Sequence, residues 1–304
     1  MFYLFLATLC SASIALIFKY TETNNTNRYV ITSANYFMAF TVSLFMIFSK
    51  DLLSDFRSPS DFFREYPEVM ANNSLLFTPH SSMIWGIIIG SIAGFFFFFS
   101  FIFYQQSVRE NGAGISGTFS KLGILIPMVF SIIIWDEIPT ALQWFGIFLA
   151  LISVVIVNVT PGFSAKKINL NYPLIFLFLL AGMAEFSNKI YQNYALNAYK
   201  DVFLFCVFFV AFLISSFFTR KQQALITRSD VLTGFAVGVP NLFSSYFLIM
   251  SLDTVKTSVA FPVFSAGSII FITLGSYLIF KEIISPKNKL AIFFTVIALI
   301  LINL

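Results

Sequence analysis

The chain has 304 residues, of which 58% are hydrophobic and only 11% charged, with a formal net charge of +4. A soluble domain carries about 25% charged residues, so a soluble globular fold is excluded. The basic residues are spread thinly between apolar blocks, a topology signal and not the surface of a nucleic-acid-binding protein.

In chain order the apolar blocks fall at 2–19, 30–48, 82–104, 114–135, 141–158, 173–190, 202–218, 231–251, 258–280 and 288–304. Each is close to the ~20 residues that carry a helix across a bilayer. Helices are the expected element, because lipid offers no partner to an unpaired backbone group. The pattern therefore predicts an all-α integral membrane protein with ten transmembrane helices and the lipid bilayer as its first partner. The first block has no basic residue ahead of it, and its first charge is Lys19, so it is expected to be retained as a helix. Residues 50–81 form the one long connection. Its Pro, Asn, Ser and acidic residues predict a surface loop, with an interfacial turn around Phe62 and Phe63. Cys10 and Cys206 sit singly inside apolar spans and are expected to act as small buried hydrophobes. With His80 the lone histidine, there is nothing from which to build a His-based metal site or catalytic triad. No catalytic residue, metal or cofactor is predicted.

The stretch from Gly117 to Thr140 recurs. Shifted by 145 positions, Ser120 meets Ser265, Ser131 meets Ser276, Glu137 meets Glu282 and Asn158 meets Asn303. The earlier spans align at a shift of 170, which places Lys19 on Lys189 and Lys50 on Arg220. The 25-residue difference is an insertion in the long loop of the first copy. An internal duplication follows, with one five-helix unit over 1–160 and another over 161–304. Because five is odd, the second unit enters the membrane from the opposite side, which makes the repeats inverted.

Local motifs fit this frame. Thr140 and Gln143 read as a capping box opening the fifth span. Ser285 and Pro286 supply an N-cap and N1 proline for the tenth. Glu137 and Glu282 lie just before these caps, where tying a helix end to its neighbour is the expected role. Gly90 and Gly94, following Gly86, fall on one face of the third span, and Gly234 and Gly238 recur in the eighth. Such faces let backbones approach closely. Loop charges are heavier on the side opposite the termini, which puts both termini outside by the positive-inside rule.

The lysine ending the first span, the Pro-bearing fourth span running into Asp136-Glu137-Ile138-Pro139-Thr140, and the following Gln143, Gly146 and aliphatic run to Asn158 resemble the EamA-like ten-helix members of the drug/metabolite transporter superfamily. Lys281-Glu282-Ile283 resembles a second copy of the same element. The resemblance implies a small-molecule carrier, commonly an exporter of metabolites or drugs, that works by alternating access without ATP. It also implies cytoplasmic termini, against the charge count. The chain departs from the family pattern in its 25-residue insertion, and in Lys256-Thr257 where the first copy has Asn111-Gly112.

Ionisable groups inside spans are costly and point to a pathway. Lys121 lies about two turns into the fourth span, beside Ser120 and six residues before Pro127; it either faces a cavity or snorkels to the interface. Glu185, Asn188 and Lys189 share one face of the sixth span, with Glu185 and Lys189 spaced for an ion pair. Glu185 is the one carboxylate well inside a span and the candidate for proton coupling. Lys19 is either the symmetry mate of Lys189 at the cavity or an interface anchor. Asn241 and Tyr246 in the eighth span and Ser265 in the ninth complete the candidate contacts, although Ser and Asn in membranes more often bond neighbouring helices. The expected function is secondary transport of a small organic solute, with no enzymatic activity. The rivals are an integral-membrane enzyme acting on lipid-linked substrates and a non-transporting scaffold. A bacterial inner membrane is the expected location. The sequons at Asn24 and Asn72 matter only in a secretory-pathway host.

Overall fold

The structure, a computed structural model, describes residues 1–21, 27–57, 61–72, 75–111, 113–158, 171–222, 225–281, 283 and 285–303. Glu282, both sequons, Lys166, Lys167 and the boundary between the two expected units lie outside or partly outside these residues. Among the described residues every regular element is helical. The chain runs through α1 (Phe2–Thr21), α2 (Arg28–Ser49), α3 (Phe62–Ala71), α4 (Pro79–Asn111), α5 (Ala113–Leu122), α6 (Leu125–Trp135) and α7 (Ala141–Asn158). It continues through α8 (Tyr172–Tyr194), α9 (Lys200–Lys221), α10 (Arg228–Ser251), α11 (Thr257–Phe280) and α12 (Pro286–Asn303). Among the described residues eight segments are long and apolar enough to cross a membrane: α1, α2, α4, the α5–α6 pair, α8, α9, α10 and α11. The fifth predicted span is the shorter apolar α7, and the tenth is α12, which packs along it.

Helix ends follow local chemistry. Thr140 and Gln143 exchange both bonds of a capping box at α7, 3.0 and 3.3 Å long. Ser285 Oγ accepts the Asn288 amide at the start of α12. The fourth predicted span is not one helix. Pro127 has no N–H to bond the carbonyl four residues back, at Gly123. The Ile126 amide takes that carbonyl instead, at 2.9 Å, and the chain breaks between α5 and α6. The break thus falls ahead of the proline and brings Lys121 close to the opening. The long loop is also more structured than predicted, holding a 3₁₀ turn (Leu52–Arg57) and the two-and-a-half-turn α3.

The α2–α9, α7–α12 and α6–α11 pairs run antiparallel. In α2 and α9, Ser43 Oγ donates to the Asp201 carbonyl at one end, and Thr219 Oγ1 to the Tyr29 carbonyl at the other. Between α7 and α12, Thr295 Oγ1 bonds Ser153 Oγ, while Gly146 abuts Ile302. The exit of α6 meets the entry of α11, where Ser258 Oγ donates to the Glu137 carbonyl.

Gly90 and Gly94 of α4 press against α9, and Gly234 and Gly238 of α10 against α2. A side-chain carbon on Gly90 would lie 2.6 Å from the Phe203 carbonyl oxygen, and one on Gly94 2.7 Å from that of Val207. The same carbon on Gly234 would lie 2.7 Å from the Ile31 carbonyl oxygen, and on Gly238 2.6 Å from that of Asn35. Backbone stands in the way at all four positions. Cys206 at the α4–α9 seam and Cys10 on α1 are both half-buried, less enclosed than the buried small hydrophobes expected. Phe95 to Phe99 divide between roles, Phe95 facing outward and Phe98 filling the core. Replacing Gly234 by valine is expected to lower the stability of the detergent-solubilised protein by about 1–3 kcal/mol, the usual cost of overpacking. A thermal melt of G234V matching that of the wild type would show that the α2–α10 seam can spread.

Candidate functional site

The break between α5 and α6 lies against α8. A side-chain carbon on Gly182 would come within 2.5 Å of the Gly123 carbonyl oxygen. This near-contact of two backbones sets Lys121 and Glu185 as electrostatic neighbours across the seam, both half-buried. Asn188, one turn further along α8, is wholly buried and donates to Glu185 Oε2 at 3.2 Å. Its own Oδ1 is buried with no hydrogen-bond partner. Lys121, Glu185 and Asn188 therefore come together as one polar group, and Ser120 lies beside it on α5, half-buried.

Lys189 does not join them. The predicted pair with Glu185 is replaced by one with Glu137, Nζ to Oε1 at 2.8 Å. Lys189 lies close to the end of α8, so its long side chain reaches the loop after α6. There it sits 5.1 Å over the Trp135 ring and donates to Gln192 Oε1. Glu137 Oε2 also accepts the Thr257 amide at the N-terminus of α11, at 2.5 Å. One carboxylate thus joins α8, the α6–α7 loop and α11, favoured by the positive end of the α11 dipole. Lys256 Nζ donates to the Ile138 carbonyl and strengthens the same contact.

A second polar group at this end was not predicted. Lys50 Nζ lies 2.6 Å from Asp201 Oδ2, and Lys50 and Lys200 stack at 5.4 and 4.5 Å on Tyr246. Gln192 and Asn197 both donate to Asp253, and Lys200 Nζ donates to the Asn197 carbonyl, which ties this group to the Lys189–Glu137 contact through Gln192. The one available hint was Asp201 in the first turn of α9, where an acid suits the helix dipole. Nothing local in the sequence pairs it with Lys50, 151 positions away.

The remaining candidates scatter. Asn241 donates to Asn35 Oδ1 at 3.1 Å on the α2–α10 seam, a helix–helix bond. Lys19 donates to Ser276 Oγ and sits 5.4 Å over Phe280 at the far end of α11. Ser265 is buried on α11, its hydroxyl without a hydrogen-bond partner. Among the described residues no three His, Cys, Asp or Glu side chains gather as a metal-binding group.

This architecture defines a multi-pass α-helical membrane protein with ionisable side chains packed inside it. The model of the EamA-like transporter family matches residues 1–159, and the chain belongs to that family. A protein of Haemophilus influenzae described as uncharacterized is 24% identical over 298 residues, covering 97% of this chain and 95% of its own. A crystal structure 16% identical in sequence superposes with a TM-score of 0.68, covering 99% of this chain and 94% of that one, and shares the fold.

Burial alone would lower the affinity of Lys50 for its proton, but Asp201 outweighs it and holds the ammonium above the ordinary lysine range. A raised lysine value contributes stability that is complete below the unfolded pKa of about 10.4 and lost as pH rises through the folded value. Lys50 is over a third exposed, so solvent screens the pair. Lys50→Met is expected to cost about 1 kcal/mol near neutral pH, mostly by stranding buried Asp201. The gap between mutant and wild-type melting temperatures should stay level from pH 6 to 9 and narrow above about 10.4; a gap that closes below pH 9 would contradict the assignment.

Proposed function

We propose that the chain is a secondary active transporter of small organic solutes, working as an exporter by alternating access in a bacterial inner membrane. Its two halves, 1–160 and 161–304, are inverted five-helix repeats, and α7 and α12 are the fifth and tenth spans. The observation that carries the proposal is the Lys121–Glu185–Asn188 group. It has a buried acceptor, Asn188 Oδ1, with no partner among the described residues, at a point where the helix facing it is broken. A buried polar atom without a partner is costly, and an N–H of a solute would satisfy it.

Packing supports the repeat. Exchanging α2 with α9 and α4 with α10 maps one glycine seam onto the other, since Gly90 and Gly94 meet Phe203 and Val207 as Gly234 and Gly238 meet Ile31 and Asn35. The seams imply a shift of 172 between α2 and α9, two more than Lys50 and Arg220 suggest, because helix ends tolerate drift that a backbone contact does not. The lysine–aromatic contacts repeat as well, Lys19 over Phe280 and Lys189 over Trp135. So do the left-handed residues Asp136 and Lys281, whose amides bond the carbonyls of Ser131 and Ser276. The antiparallel course of the α2–α9, α6–α11 and α7–α12 pairs supports inversion. Repeats of this kind hold their solute near the midplane and rock about it. In such a cycle the Glu137 junction closes one end, and Glu185 exchanges a proton.

In proteoliposomes under a pH gradient, the wild type is expected to move at least one solute from a panel of amino acids, nucleotides and organic cations. Glu185→Gln should reduce the gradient-driven part to the level of empty vesicles, and an unchanged gradient-driven flux would remove the proton from the cycle. Single cysteines at positions 121 and 188, with Cys10 and Cys206 replaced by alanine, should react with a water-soluble maleimide. Failure of both to react would remove the pocket.

A further inference from the structure

The long loop of the first half holds α3, a helix with three distinct faces. At about 3.6 residues per turn, Phe62 and Val69 fall together, and both are buried. Phe62 meets Phe77 at 5.3 Å, and Phe77 meets Trp85 at 5.4 Å, so this face is the one that docks on the bundle. The next sector carries Tyr66, Met70, Phe63 and Pro67. Tyr66, 44% exposed, leans on the Trp85 ring at 6.2 Å and Met70 packs partly on the core, while Phe63 is 92% exposed and Pro67 is exposed beside it. The third sector carries Arg64, Glu68 and Ala71, all exposed.

A two-faced helix suffices to cover a protein core from water. The middle, apolar sector needs another environment, and its position identifies which. The helix ends at Ala71, eight residues before α4 enters the apolar layer at Pro79. Glu65 fixes its roll by accepting both the amide and the hydroxyl of Thr78, at 3.0 and 2.8 Å. Trp85, Trp135 and Tyr194 lie at this same end, in contact through their rings, and Trp85 and Tyr194 are buried beneath α3. The exposed side chains of Leu75 and Leu76 continue the apolar surface toward the outward-facing Ile87 and Ile88 of α4.

We propose that α3 is a membrane-surface helix whose Phe63–Tyr66–Pro67–Met70 sector enters the bilayer at the boundary between headgroups and acyl chains. Arg64 and Glu68 remain in the headgroup water. The occupant is lipid and not a partner protein, because the sector lies just ahead of α4, whose approach carries exposed Leu75 and Leu76 and whose first turns carry exposed Ile87 and Ile88. Helices that lie in the interface plane are built this way, with an apolar strip beside a charged one. Docking through Phe62 and Val69 then holds the helix at a set depth instead of leaving it to float.

The test uses the full chain with Cys10 and Cys206 replaced by alanine and a single environment-sensitive fluorophore at one of three positions. In phosphatidylcholine vesicles, labels on Phe63→Cys and Pro67→Cys should be quenched by lipids carrying a nitroxide high on the acyl chain and protected from aqueous iodide. A label on Arg64→Cys, one residue away, should show the reverse. Pro67→Cys carries the test if Phe63→Cys does not give a monodisperse protein. Iodide quenching at 63 and 67 equal to that at 64 would place the sector in water and overturn the proposal. Protection from both quenchers would mean that protein covers it, which overturns the proposal equally.

Discussion

In lipid, apolar surfaces gain nothing by leaving the solvent, so helices hold together only where they fit closely or share polar bonds. The close fits here are the α4–α9 and α10–α2 seams, at which glycines let one backbone lie against another. These seams set the spacing of four helices. Asn241 to Asn35 crosses the second seam, and Ser43 to the Asp201 carbonyl joins α2 to α9 between the two, so both bonds depend on that spacing. Interior side chains elsewhere are positioned by what these contacts leave open.

The Gly123–Gly182 approach works differently. It occurs where α5 has ended and α6 has not begun, so a close fit and a gap in the hydrogen-bond ladder coincide. Lys121 is the penultimate residue of α5 and Glu185 lies in the next turn of α8 after Gly182. Charges that would be prohibitively placed on two unbroken helices facing lipid are instead neighbours inside protein. The same break makes α6 a separate helix that runs from the interior group to the α6–α7 loop. That loop carries Glu137 to the entry of α11, so one proline links the interior group to the junction at the end of the bundle.

Helix positions and types were legible because lipid admits few alternatives and because apolar length is a strong signal. The capping box at Thr140 and the cap at Ser285 were legible for the same local reason, as each needs only a few adjacent residues. Ion pairs were not. Glu185 and Lys189 have favourable spacing on an isolated helix, yet a salt link of that kind is worth only about 0.2–0.5 kcal/mol. Lys189 finds Glu137 because a chain reversal 52 positions earlier places a carboxylate within its reach. The Lys50–Asp201 pair has the same origin. Spacing within one helix is written in sequence, whereas contacts between helices depend on packing. The group of Lys121, Glu185 and Asn188 was foreseen residue by residue on polarity alone. What drew Lys121 toward α8 was Gly182, a residue with no chemistry of its own to notice.

The left-handed residues that end α6 and α11 share a shape but not a charge. Asp136 stands at one and Lys281 at the other, 145 positions apart, with nearly equal φ angles of 55° and 54°. If the halves are inverted, these turns sit in opposite leaflets, one negative and one positive. A duplicated protein of matched halves would feel the membrane voltage equally from either side. Under the proposed inversion the two charges would lie at opposite ends of the bundle, where a membrane voltage would act on one end differently from the other.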